Sequence, residues 1–160
     1  AAPIGAAPVA QLPNGATAIN ETFGDWTVDC RIIEGRKGCI MQQSQGNQQT
    51  GQRSFAIELR VPQTMRTEGL LLMPFGLNLD QGVKLKIDEQ DLGQGARFST
   101  CVPTGCLVPI SLPTVATEAL KKGTRLIVTA TTLSSGEAAT FNVSLNGFAP
   151  ALARLTELGS

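Results

Sequence analysis

Four cysteines are the residues of this chain whose type and spacing could do chemistry, and they come as two close pairs, Cys30 with Cys39 and Cys101 with Cys106. Histidine is absent, which removes the commonest general base and metal ligand. Three readings compete for the sulfurs. A redox-active pair normally has two intervening residues at a helix start, where the thiolate is stabilised, and neither pair has that spacing. A four-thiolate zinc site uses two tight knuckles, and the step from Cys30 to Cys39 is too wide for one. The third reading is a disulfide staple across each of two hairpins. Glu34-Gly35-Arg36-Lys37-Gly38 and Val102-Pro103-Thr104-Gly105 supply turn residues that would bring the sulfurs within bonding range. Four cysteines still allow three pairings. Loops this short stabilise by only ~2–3 kcal/mol each in the chain-entropy account, so the staples fix local geometry more than they create the fold. Oxidised pairs place the protein outside the cytoplasm, in the periplasm, at the outer surface or secreted.

Oxygen chemistry finds less support. A serine nucleophile without histidine needs a lysine base, and Ser134-Ser135-Gly136 reads as an ordinary turn. Asp88, Glu89 and Asp91 cluster before Gly93, but Gln90 and Leu92 stand where a calcium loop carries stronger oxygen ligands. Paired carboxylates that cleave or bind sugars work in clefts lined by stacked aromatics, and this chain has one tryptophan and no tyrosine. We therefore assign no catalytic residue, no metal ligand and no cofactor. Lysine plus arginine equals aspartate plus glutamate at thirteen each, so no global field draws nucleic acid. The longest apolar stretch, Leu70 to Leu77, is broken by Pro74 and Gly76 and is far shorter than the ~20 residues that span a bilayer, so no transmembrane segment is expected.

The length suits one core. Residues 1–20, mostly alanine, proline, glycine and small polar side chains without a regular apolar period, read as a flexible lead-in. Its small-residue start is what signal-peptide cleavage would leave. Residues 21–160 read as a single domain. Phe55, Ile57, Leu59 and Val61 alternate with Ser54, Ala56, Glu58 and Arg60, the period of a strand with one buried face. The same code recurs at 83–88 and 140–146. Further strands are expected at 26–31, 38–43, 70–73, 97–102, 107–112 and 124–132. About nine short strands separated by turns predict an all-β fold, an antiparallel β-sandwich or a partly closed barrel. Two helices interrupt it. Thr114–Lys122 follows Pro113, carries lysines in its last turn and stops at Gly123, which predicts a short connector. Phe148, Leu152, Leu155 and Leu158 fall at helical spacing and predict a C-terminal helix lying across the sheets. Trp26 and Phe23 are expected to pack beneath the sheet beside the first cysteine pair.

The segment Phe23-Gly24-Asp25-Trp26-Thr27-Val28-Asp29-Cys30 resembles the opening signature of the invasion-associated locus B family of exported bacterial proteins. The likeness continues through Cys39-Ile40-Met41, Leu79-Asp80-Gln81-Gly82-Val83, Ile87-Asp88, Phe98, Cys101, Gly105-Cys106 and Leu145-Asn146-Gly147-Phe148. The resemblance implies a β-rich extracytoplasmic domain linked to host-cell invasion, with no catalytic residues to carry over. The favoured expectation is a non-catalytic domain that recognises a protein or cell-envelope component through a sheet edge or the loop around Thr64 to Gly76. Its apolar residues Met65, Leu70, Leu71, Leu72, Met73 and Phe75 are the partner-binding candidates, although most of them suit the core as well. A small-molecule or glycan-binding sandwich and a carboxylate-based hydrolase at Asp88 or Asp91 are the alternatives. Nothing in the residues sets the oligomeric state.

Overall fold

The computed structural model describes residues 12–46, 53–63, 65–92 and 95–159. The chain opens with two tight hairpins. Strand β1 (Ala18–Phe23) turns through Gly24-Asp25 into β2 (Trp26–Ile33), which turns through Glu34-Gly35 into β3 (Arg36–Gly46). Glu34 and Gly35 both have positive φ, 53° and 76°, the backbone that lets a two-residue turn follow the right-handed twist of its strands. Next come β4 (Arg53–Arg60) and β5 (Arg66–Met73), then the short β6 (Lys84–Ile87), β7 (Gln90–Asp91) and β8 (Thr100–Val102). After them β9 (Gly105–Pro113) runs directly into helix α1 (Thr114–Lys122). Strands β10 (Arg125–Thr131) and β11 (Ala138–Ser144) and helix α2 (Phe148–Gly159) finish the chain.

The strands form two antiparallel sheets and no closed barrel. One has seven strands in the order β1-β2-β3-β4-β5-β9-β8, and the other has four in the order β11-β10-β6-β7. Alternation decides which side chains face inward. Val28 and Cys30 of β2, Met41 of β3, Phe55, Ile57 and Leu59 of β4, Leu71 and Met73 of β5 and Val108 of β9 are all buried. They meet Leu85, Leu126, Val128 and Val143 of the smaller sheet. Helix α2 lays Phe148, Ala151, Leu152, Leu155 and Leu158 on the β1–β3 end, so sheet, sheet and helix share one core. Phe55 and Phe141 stack across the sheets, with ring centroids 5.2 Å apart.

Several expectations shift. Eleven strands stand among the described residues where about nine were expected. The two additions are β1 and the two-residue β7. Strand β1 begins inside the expected lead-in of residues 1–20, and Leu12 is buried in the core. Residues 1–11 lie outside the described residues. The physical reason is that Ile19 and Phe23 pack partly against the core while the inward Glu21 pairs with Arg154 of α2. The expected strand at 97–102 is confined to Thr100–Val102, because Ala96 instead bridges Val83. The segment 64–76 is no loop in the main: residues 66–73 form β5, paired on both sides by β4 and β9. Both helices occupy the expected residues, and the connector matches at both ends.

Candidate functional site

The signature segments, far apart in sequence, meet in space. The Asp25 N–H donates to the Asn146 carbonyl at 3.0 Å, and the Ser144 hydroxyl donates to the Asp25 carboxylate at 2.6 Å. The indole N–H of Trp26 donates to the Ser144 carbonyl at 2.8 Å, across 118 residues of chain. Phe148 sets its ring edge-on to Trp26, centroids 5.3 Å apart and planes at 78°. Two glycines permit this approach. A Cβ on Gly147 would overlap the Phe23 carbonyl oxygen, and one on Gly24 would stand 2.6 Å from the Asn146 oxygen. Both residues have positive φ, 88° and 58°. Beside them the Gln43 side chain behaves as a strand partner, its amide donating to the Ser144 carbonyl at 3.0 Å and accepting from the Ser144 N–H at 3.1 Å. Gln45 donates likewise to the Asn142 carbonyl. These polar atoms are turned on one another, so the signature builds a clasp between the first hairpin and the last turn.

The cysteines pair as Cys30–Cys39 and Cys101–Cys106 and leave no free thiol. Each pair stands directly cross-strand in its hairpin, with Cα atoms 4.1 and 3.9 Å apart. That matches the closer of the two spacings in an antiparallel ladder, ~4.5 Å. Cys30 and Cys39 are buried, whereas Cys101 is exposed. Asp88, from the acidic cluster, has positive φ and uses its carboxylate to accept the backbone N–H groups of Thr124 (3.1 Å) and Arg125 (3.2 Å). It ties the α1–β10 link to the end of β6. Glu89 and Asp91 are exposed, and no group of three or more metal-ligating side chains gathers among the described residues.

The six partner-binding candidates separate into distinct surroundings. Leu71 and Met73 point into the core. Leu70 and Leu72 take the opposite face of β5, where register sets Leu70 beside Pro109 and Leu72 between Ala56 and Leu107. These five residues make an apolar band across the outer side of β4, β5 and β9. Met65 and Phe75, 79% and 60% exposed, flank the two ends of the strand. The Met65 carbonyl accepts both the N–H and the hydroxyl of Thr114 and so anchors the start of α1. Phe75 lies next to Gly76, whose carbonyl takes the N–H of the exposed Leu133.

Several concavities mark the surface, one of about 750 Å³ lying between Asp88–Gln90 and α1. A cleft of about 620 Å³ separates α1 from α2, with Met65, Leu152 and Ala153 among its walls and the Glu118–Lys121 ion pair at its rim. At its floor the buried Thr117 hydroxyl meets Thr67 (3.4 Å) and the Pro113 carbonyl (3.3 Å). A shallow groove of about 670 Å³ crosses the outer face of β2 and β3, where Arg31, Arg36 and Lys37 alternate with Asp29, Glu34 and Glu58 around Ile33 and Ile40. On the inner side, Glu21 accepts hydrogen bonds from Arg154 at 2.6 and 3.3 Å, and that bond holds the guanidinium pKa above its ordinary value. Sequence reasoning missed Gln43, Arg154 and the outward Leu107 and Pro109. Only the last two left a local signal, the alternation of Leu107, Pro109 and Ser111 with Val108, Ile110 and Leu112.

The profile of the family described as Invasion associated locus B (IalB) protein matches residues 26–156. An invasion protein B homolog of Brucella abortus (strain 2308) is 46% identical over 149 residues, 93% of this chain and 86% of the relative. Invasion protein B of Bartonella bacilliformis is 37% identical over 153 residues, 94% of this chain and 81% of the relative. The crystal structure of invasion associated protein b from Bartonella henselae superposes with a TM-score of 0.80 at 34% identity, covering 88% of this chain and 96% of that one. The clasp, the two staples and the paired sheets described above are therefore those of a chain that belongs to the invasion-associated locus B family.

Proposed function

We propose that this chain is an exported, non-catalytic interaction domain that grips a protein or cell-envelope component with the outer face of its seven-stranded sheet. One observation carries the reading. An antiparallel sheet with a solvated side normally turns polar side chains to water, yet here the half-buried Leu70, Leu72 and Leu107 and the exposed Pro109 adjoin one another around the buried Ala56 on the outer face. The charged groove over β2 and β3 lies on the same face and supplies the polar rim that such interfaces carry. Both hairpin disulfides support work in an oxidising compartment, and no described helix is long and apolar enough to cross a membrane. The relatives' name, invasion protein, extends the reading to contact with a host cell or to an envelope task that precedes it.

The test uses the oxidised protein, immobilised, against envelope extracts, beside a Leu70→Thr/Leu72→Thr double variant. The expected result is a retained component that the double variant loses while its melting temperature holds. Equal retention by both proteins would move the site off this face, and a protein recovered in the cytoplasmic fraction after osmotic shock would refute export.

A further inference from the structure

We propose that strand β1 is the seam of a two-fold homodimer, in which β1 pairs antiparallel with β1 of a second copy and joins two seven-stranded sheets into one. The two sheets end in four edge strands, β1, β8, β11 and β7. At one end of the small sheet, the Gln43 and Gln45 side chains and the Trp26 indole occupy the Asn142 carbonyl and both backbone groups of Ser144, at the carboxyl end of β11. At the other end β7 is two residues long. At the far end of the large sheet β8 has three residues beside the Pro103 turn. Short edges, prolines and occupied backbone groups are how proteins keep strands from pairing outward. Strand β1 has none of these devices. It runs for six residues with neither proline nor lysine, and its only charge, Glu21, is engaged by Arg154.

Register shows which groups are open. The N–H of Ile32 bonds the Thr17 carbonyl, so residues 17, 19, 21 and 23 turn their backbone groups to β2. The N–H and C=O groups of Ala18, Asn20 and Thr22 therefore point away from the sheet, and among the described residues no backbone group bonds them. A second copy offers the same unpaired row, so one pairing event satisfies both. An unrelated extended peptide would satisfy only one. The residues also select a register. With Asn20 on the two-fold axis, Ala18 stands opposite the partner's Thr22 and Glu21 opposite the partner's Ile19, and the whole row forms about six main-chain hydrogen bonds. A register shifted by one step toward Phe23 sets Glu21 against the partner's Glu21, which like-charge repulsion disfavours. Zero net charge leaves no long-range repulsion between copies. Because the two-fold seam consumes β1 of both copies, association through it closes at two and does not continue into a fibre.

The test is sedimentation equilibrium of the full chain with its disulfides intact. The wild type should sediment as a dimer. Asn20→Lys puts like charges on the axis, and Asn20→Pro removes an N–H that β2 does not use. Each should weaken dimerisation about tenfold or more while the melting temperature of the monomer holds. Asn20→Cys should cross-link to itself, whereas Ala18→Cys alone should not and should link only when mixed with Thr22→Cys, with both native disulfides intact by mass spectrometry. A wild type that stays monomeric at every concentration overturns the proposal. So does a dimer unchanged in both Asn20 variants, or a monomer that instead captures extended peptides along β1. Retention of the envelope component by Asn20→Lys separates this seam from the outer-face reading.

Discussion

The clasp and the outer face are built from similar materials and behave oppositely. In the clasp, Gly24, Asp25 and Trp26 meet Ser144 to Phe148 with polar atoms bonded to one another and Trp26 wholly out of water. On the outer face, the half-buried Leu70, Leu72 and Leu107 and the exposed Pro109 adjoin side by side. The clasp holds the distinctive motif of the chain, its polar atoms spent on one another. The outer face holds no motif, and its leucines are only half-buried. A memorable sequence pattern here marks the place where the backbone tolerates no alternative, and binding capacity sits where the pattern is bland.

Substitutions sharpen that contrast. Trp26→Ala removes a fully buried indole together with its bond to Ser144 and should cost ~3–5 kcal/mol in denaturant unfolding, the range for truncating a large buried aromatic. Gly147→Ala adds only a methyl group, but at φ 88° and against the Phe23 carbonyl. It should cost roughly 2–3 kcal/mol and broaden or lower the thermal transition. Leu72→Thr on the outer face introduces a β-branched strand former and should stay within about 1 kcal/mol of the parent. If Gly147→Ala proves as harmless as Leu72→Thr, the two regions do not differ in the way described.

The elements that could be read from the chain are those whose two faces differ. The helix at Thr114–Lys122 carries its own start and stop residues, and β4 alternates cleanly, so both are visible locally. Strand β5 is harder to see. Leu70-Leu71-Leu72 is apolar on both faces because its outer side also displays leucines, and the period of two disappears. The outer band was half visible for the same reason: Leu70 and Leu72 stood out as apolar, while Leu107 and Pro109 did not. Strand β1 hid behind Glu21, an inward charge that reads as polar until Arg154 is found 133 residues away. Gln43 gave no sign either, since a glutamine that completes another strand's hydrogen bonding looks the same in sequence as one in water.

The clasp also imposes an order on events during synthesis or transport. Trp26 gives its hydrogen bond to the carbonyl of residue 144 and takes its ring contact from residue 148, so a chain delivered amino end first carries its earliest hairpin without a lid until almost all of it has arrived. Contacts this distant in sequence close slowly. Until they do, the indole stands in water, and both hairpin cystines have time to form while the domain is still open.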